Sequence, residues 1–172
     1  MIEAPEARIL CRQLNETVRG KKITDVYTQF SPHKFAWFTG SSEEYAEQLS
    51  GKTIDHAQSQ GGMVEITIGD KVLILTDGVN LRYLAPGSKL PAKHQLLIAF
   101  EDESCLVASV RMYGGLMCYD KDAANGVLSN YYLTARRNPP KLSLPPNRRF
   151  PDSATVFCRI SFTIHISTRR KK

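Results

Sequence analysis

Met63-Val64-Glu65-Ile66-Thr67-Ile68-Gly69-Asp70-Lys71-Val72-Leu73-Ile74-Leu75 is the stretch that decides the fold. Two short runs rich in Val and Ile flank a Gly-Asp pair, a combination that suits strands joined by a tight hairpin turn. The pattern repeats along the chain at Ile54, Leu81 to Leu84, His94 to Phe100, Cys105 to Val110 and Gly114 to Tyr119. Asp77-Gly78, Pro86-Gly87 and Glu101-Asp102-Glu103 separate these runs as turns. Upstream, Lys22 to Phe30 and Phe35-Ala36-Trp37-Phe38 read as two more strands, broken at Ser31-Pro32-His33 and expected to form a half-buried hairpin. The alternative for those aromatics, beside Lys34, is stacking on bases. Many short strands at roughly ten-residue spacing predict a β-sandwich or barrel with helices at its ends.

Two helices are expected. Ala7, Leu10, Cys11, Leu14 and Val18 recur at helical spacing after Pro5, and Gly20 supplies the stop. Proline suits the first turn, whose N–H groups have no helical partner, and Glu3 and Glu6 lie near the positive end of the helix dipole. An ordinary capped helix accounts for these signals by itself. Ser41 or Ser42 caps a shorter helix from Glu43 to Leu49, ended by Gly51. The predicted fold is therefore α+β: a two-layer β-sandwich of about eight mostly antiparallel strands, flanked by the helix at Pro5 to Val18 and the shorter one.

The formal charge of +6 on 172 residues is unevenly spread. Residues 1–135 hold 13 basic and 16 acidic side chains, a balance of −3, whereas residues 136–172 hold 10 basic and one acidic, a balance of +9. The basicity belongs to the tail, which a solvated segment explains as well as nucleic-acid binding does. Pro139-Pro140, Pro145-Pro146 and Arg148-Arg149 mark the change in composition. Cys11, Cys105, Cys118 and Cys158 show no metal-ligand spacing, and Cys11, Cys105 and Cys118, on an apolar helix face and in strand-like runs, read as buried free thiols of a reducing compartment. No secretory segment or membrane-length apolar run is present, so a cytoplasmic protein with no membrane partner is expected.

The order of several short motifs carries a resemblance. Glu3-Ala4-Pro5-Glu6-Ala7, Gly20-Lys21-Lys22-Ile23, Gly51-Lys52-Thr53-Ile54, Arg111-Met112-Tyr113-Gly114 and Asn130-Tyr131-Tyr132-Leu133 together resemble the N-terminal domain of the formamidopyrimidine-DNA glycosylase / endonuclease VIII family. The resemblance covers about residues 1–142. It implies a base-excision-repair DNA glycosylase with lyase activity on abasic sites, acting as a monomer on double-stranded DNA that carries a damaged base or abasic site. In that family an N-terminal proline attacks the sugar and the adjacent glutamate moves protons. An α-amino group suits the role because its pKa of about 7.7–8.0 leaves it partly neutral at pH 7.

Here the proline position is Ile2, while the glutamate is kept as Glu3. A bulky Ile2 predicts that Met1 is retained, so the nucleophile's place falls to the Met1 amine or Ile2, with Glu3 as proton shuttle. The amine is shifted by one residue, about 3.8 Å along the chain. The family's phosphate-gripping lysine corresponds to Met63, its helix-filling methionine to Val79, and its arginine and phenylalanine wedge to Met112 and Tyr113, with Arg111 contacting the backbone. For Arg111 a surface salt bridge is the alternative. The family's helix–two-turn–helix domain and zinc finger are expected to be absent, which leaves no cofactor. Residues 143–172 read instead as a basic, proline-containing tail, disordered or frame-shifted. A non-catalytic damaged-DNA-binding relative and a protein-interaction β-domain with a basic tail are the competing functional readings.

Overall fold

In a computed structural model, residues 2–28, 30–76 and 78–123 are described. Met1 and the expected tail at 143–172 lie outside them. Helix α1 (Ala4–Thr17) is followed by β1 (Ile23–Thr28), β2 (Ala36–Phe38) and α2 (Glu44–Leu49). Then come β3 (Ile54–Gln60), β4 (Met63–Ile68), β5 (Lys71–Leu75), β6 (Val79–Leu84), β7 (Leu96–Phe100), β8 (Cys105–Val110) and β9 (Gly114–Asp120). The α+β sandwich expectation holds, with nine strands among the described residues. One sheet runs β1-β7-β8-β6 and the other β2-β9-β5-β4-β3.

The Gly69-Asp70 turn closes as read: Ile68 pairs with Lys71, and Gly69 takes φ 59°, which a tight hairpin favours. Alternation then sorts the side chains. Val64, Ile66, Ile68, Leu73, Leu75, Leu116 and Cys118 face the other sheet, whose Leu81, Leu96, Ile98, Leu106, Ala108 and Val110 complete the main core. The hairpin expected between the Lys22-to-Phe30 and Phe35-to-Phe38 runs does not form. Strand β1 pairs antiparallel with β7, whereas β2 lies in the opposite sheet, parallel to β9. Alternation alone identifies a strand's buried face but does not choose its partner.

Helix α1 closes the edge of the sandwich. Its buried Ala7, Leu10, Cys11 and Leu14 join the main core. Asn15 docks on the free edge of β3: its Nδ2 donates to the Ala57 carbonyl and its Oδ1 accepts from the Ala57 N–H, both at 2.7 Å. One amide side chain thus replaces a missing strand neighbour, and blunts an edge otherwise open to pairing. The thiols of Cys11 and Cys118 are buried in this core, and burial pushes both up to about 11, so neither is a ready nucleophile. Cys105 is only partly buried.

A candidate nucleic-acid interface at one end of the sandwich

The direction of α1 fixes where the chain begins. The Gly20 N–H donates to the Ile54 carbonyl at 2.8 Å, and Asn15 sits on Ala57, so helix and β3 run antiparallel. Going back from Asn15 to Glu3, the helix advances about 18 Å. From Ala57 to Gln60 the strand advances only about 10 Å. The start of α1 therefore reaches the level of the Gly61-Gly62 turn between β3 and β4. Strand register puts other turns at that same end: Val64 pairs with Leu75 and Leu75 with Leu116, while Val79 pairs with Val110. The β5–β6 and β8–β9 turns thus share one end of the sandwich with Ile2 and Glu3.

These turns are locked together. Thr76 N–H donates to the Gly115 carbonyl at 3.0 Å, and Gly115 N–H to Thr76 Oγ1 at 2.7 Å. Gly78, at φ 77°, lies so close to Tyr113 that an added Cβ would fall 1.8 Å from the Tyr113 carbonyl oxygen. No other residue fits there without displacing the strand. The buried Gln95 ties in the segment before β2, donating to the Ser31 carbonyl at 2.7 Å and accepting from Val110 N–H at 2.6 Å. Gly114 N–H also donates to the Phe35 carbonyl at 3.0 Å.

The expected site residues separate into two groups. Met112 and Tyr113 are exposed, at 71% and 41%, and Arg111 is exposed beside them. Glu3 is exposed and precedes α1, its N–H donating to Glu6 Oε2 at 3.1 Å in a capping box. Ile2, Val79 and Met63 do not present side chains to solvent. Ile2 and Val79 are packed in the main core, and Met63 is buried with Val72 and Ile74 on the other face of the five-stranded sheet. The Val79 and Met63 side chains pack inside the protein, because a strand's first residue inherits the facing set by alternation. The Ile2 side chain is likewise a core group.

Sequence reasoning missed a cationic cleft of about 540 Å³ on the outer face of the four-stranded sheet. Arg82, Lys93, Arg111 and His33 line it with Ser31, Gln95 and Ser109, and no carboxylate contributes to the lining. None of Arg82, Lys93 and Arg111 forms an ion pair among the described residues, where four salt bridges use other lysines. The available signal was Arg82 at the outward position of Leu81-Arg82-Tyr83.

The architecture is a two-layer sandwich with a helix sealing one edge, its N-terminal end level with two locked turns. The chain belongs to the formamidopyrimidine-DNA glycosylase family: the model of that family's N-terminal domain matches residues 1–150. Among solved structures, Lactococcus lactis Fpg in complex with DNA containing an abasic site is similar with a TM-score of 0.64 at 23% identity, covering 78% of this chain and 48% of that one. MutM in complex with DNA containing carbocyclic 8-oxo-G gives a TM-score of 0.64 at 23% identity, covering 74% and 48%. The chain thus spans about half the length of the solved structures it matches. No curated protein matches it.

Proposed function

We propose that the chain recognises damaged or abasic sites in double-stranded DNA for base excision repair, and that its lyase chemistry runs through the Met1 α-amine with Glu3 as proton shuttle. The observation that carries this reading is the gathering at one end of the sandwich: the chain start, the turn bearing Arg111, Met112 and Tyr113, and the unpaired cations of the adjacent cleft. Arg111 grips phosphate, and Tyr113 and Met112 press into the stack where the lesion has weakened it. A neutral primary amine adds to the open-chain C1′ aldehyde of an abasic sugar and expels water to give an imine. A carboxylate beside it delivers and removes the protons.

The test is borohydride trapping on an abasic duplex, alongside anisotropy binding to abasic and intact duplexes. A covalent adduct on the N-terminal peptide is expected, formed more slowly by Glu3→Gln. A second reading, a non-catalytic damaged-DNA binder, is favoured by the burial of Ile2, which gives position 2 to packing. Preference for the abasic duplex without an adduct supports that second reading; equal affinity for both duplexes sinks both.

A further inference from the structure

Two exposed aromatic rings, Phe35 and Trp37, extend from the cationic cleft in a direction that the duplex reading leaves unused. Ala36 and Phe38 of β2 pack against the core, so the alternate residues Phe35 and Trp37 face outward, 49% and 55% exposed. The two positions are about 6.6 Å apart along the backbone, enough for each ring to take its own partner. The Trp37 ring lies 6.4 Å from that of Tyr113. On the other side, the His33 ring meets Phe35 edge-on at 6.3 Å, and His33 lines the cleft with Arg82, Lys93 and Arg111. Lys34 Nζ stands 5.7 Å from the Phe35 ring centroid. Cations thus lead continuously into an aromatic row, held in place by the Gly114–Phe35 and Gln95–Ser31 hydrogen bonds.

We propose that this surface binds an unpaired DNA strand, its phosphates in the Arg82–Lys93–Arg111 cleft and successive bases stacked on Phe35 and Trp37. Every base offers a π face and every linkage a negative charge, so a row of rings beside unpaired cations takes single strands with little regard to sequence. A duplex hides its base faces and gains little from Phe35 and Trp37. The proposal rests on the chain being a DNA binder, and adds a second mode to that reading.

Trp37 is the only tryptophan in the chain, so its fluorescence reports stacking directly. Titration with an oligothymidylate is expected to quench it saturably. Phe35→Ala and Trp37→Ala, followed by anisotropy of a labelled oligomer, should each weaken single-strand binding about 5- to 100-fold. The same variants should keep binding to an abasic duplex within about threefold. Trp37→Phe, which retains a ring, should recover most of the single-strand affinity. Oligothymidylate that binds without quenching Trp37, or binds the alanine variants as well as the parent, overturns the proposal. Tighter binding of an oligouridylate overturns its assignment to DNA. An abasic duplex bound while no single strand binds sinks this mode alone, whereas failure of both ligands sinks the DNA reading as well.

Discussion

The two ends of the sandwich handle charge in opposite ways. At the end away from the chain start, four lysines are each paired with a carboxylate: Lys22–Glu101 at 2.9 Å, Lys71–Asp120 at 2.6 Å, Lys21–Asp102 and Lys52–Asp70. All four pairs join residues at strand ends or turns. Lys21 has the most partners of these groups, also donating to Tyr83 Oη at 2.9 Å and Ser104 Oγ at 2.8 Å. Burial opposes its charge, but the hydrogen bonds to Asp102 and Tyr83 outweigh burial and raise its pKa. At the other end, Arg82, Lys93 and Arg111 surround a cleft with no carboxylate in its lining. Paired charges are neutralised where they stand, whereas unpaired cations retain a field for an incoming anion. The same residue types therefore close one end and open the other, so the body's small net charge of −3 over residues 1–135 understates what its surface can bind.

The comparison breaks most visibly if the open end is not a rigid unit. Gly78→Ala forces a side chain onto the Tyr113 carbonyl at a positive φ, and is expected to cost about 2–4 kcal/mol in urea unfolding. Binding to an abasic duplex should fall with it, measured where the variant remains folded. A variant as stable as the parent would mean that the two turns move independently. Next in size are the cleft cations. Arg82→Ala, Lys93→Ala and Arg111→Ala should each weaken duplex binding about 3- to 10-fold near 0.1 M salt, and reduce the salt slope by about 0.9 for each phosphate no longer neutralised. Lys52→Ala and Lys71→Ala, at the paired end, should leave affinity within about twofold. Equal losses at both ends would erase the distinction.

How much of this was legible in the sequence depends on how local the signal is. The Gly69-Asp70 hairpin and the helix after Pro5 were readable because turn chemistry and capping act over a few residues. The family was readable by resemblance, from the order of short motifs such as Arg111-Met112-Tyr113-Gly114 along the chain. The partner of Phe35-Ala36-Trp37-Phe38 was not, since its parallel pairing with β9 joins residues nearly eighty positions apart, as in Ala36 opposite Gly114. The burial of Val79 was not readable for a related reason: Asp77-Gly78 signals a turn in the sequence, but the facing of the residue after it is set by pairing with Val110. The cleft escaped notice because Arg82, Lys93 and Arg111 are far apart in the chain, and a count of charges cannot tell paired from unpaired cations.

Smaller effects test the paired end itself. Asp102 accepts hydrogen bonds from Lys21 and then Ser104, which hold its carboxyl at about 2. A depressed folded-state pKa gives stability that is present above the unfolded value near 3.9 and is lost as pH falls towards 2. The carboxylate is half exposed, so solvent screening limits Asp102→Asn to a loss of a few tenths to about 1 kcal/mol at pH 7. Thermal unfolding of parent and variant should converge near pH 2, and a gap that persists there would assign the loss to packing rather than charge.

Glu65 gives the smallest effect and the opposite sign. It is a buried carboxylate with no lysine partner: Gln58 Nε2 donates to its Oε2 at 2.8 Å, while no donor among the described residues reaches Oε1. Burial raises its pKa against the opposing pull of Gln58 and His56. A raised carboxyl pKa means that folding is favoured where both states are protonated, and that stability is lost as pH climbs from the unfolded value into the folded one. Glu65→Gln keeps an acceptor for Gln58 and removes the buried charge, so it should stabilise the protein at pH 7 by about 0.5 kcal/mol. Below about pH 4 the parent carboxyl is itself neutral and the advantage should vanish. Destabilisation at pH 7 would show that the ionised carboxylate has a partner worth more than its desolvation costs, and that pairing of charge is not confined to the far end of the sandwich.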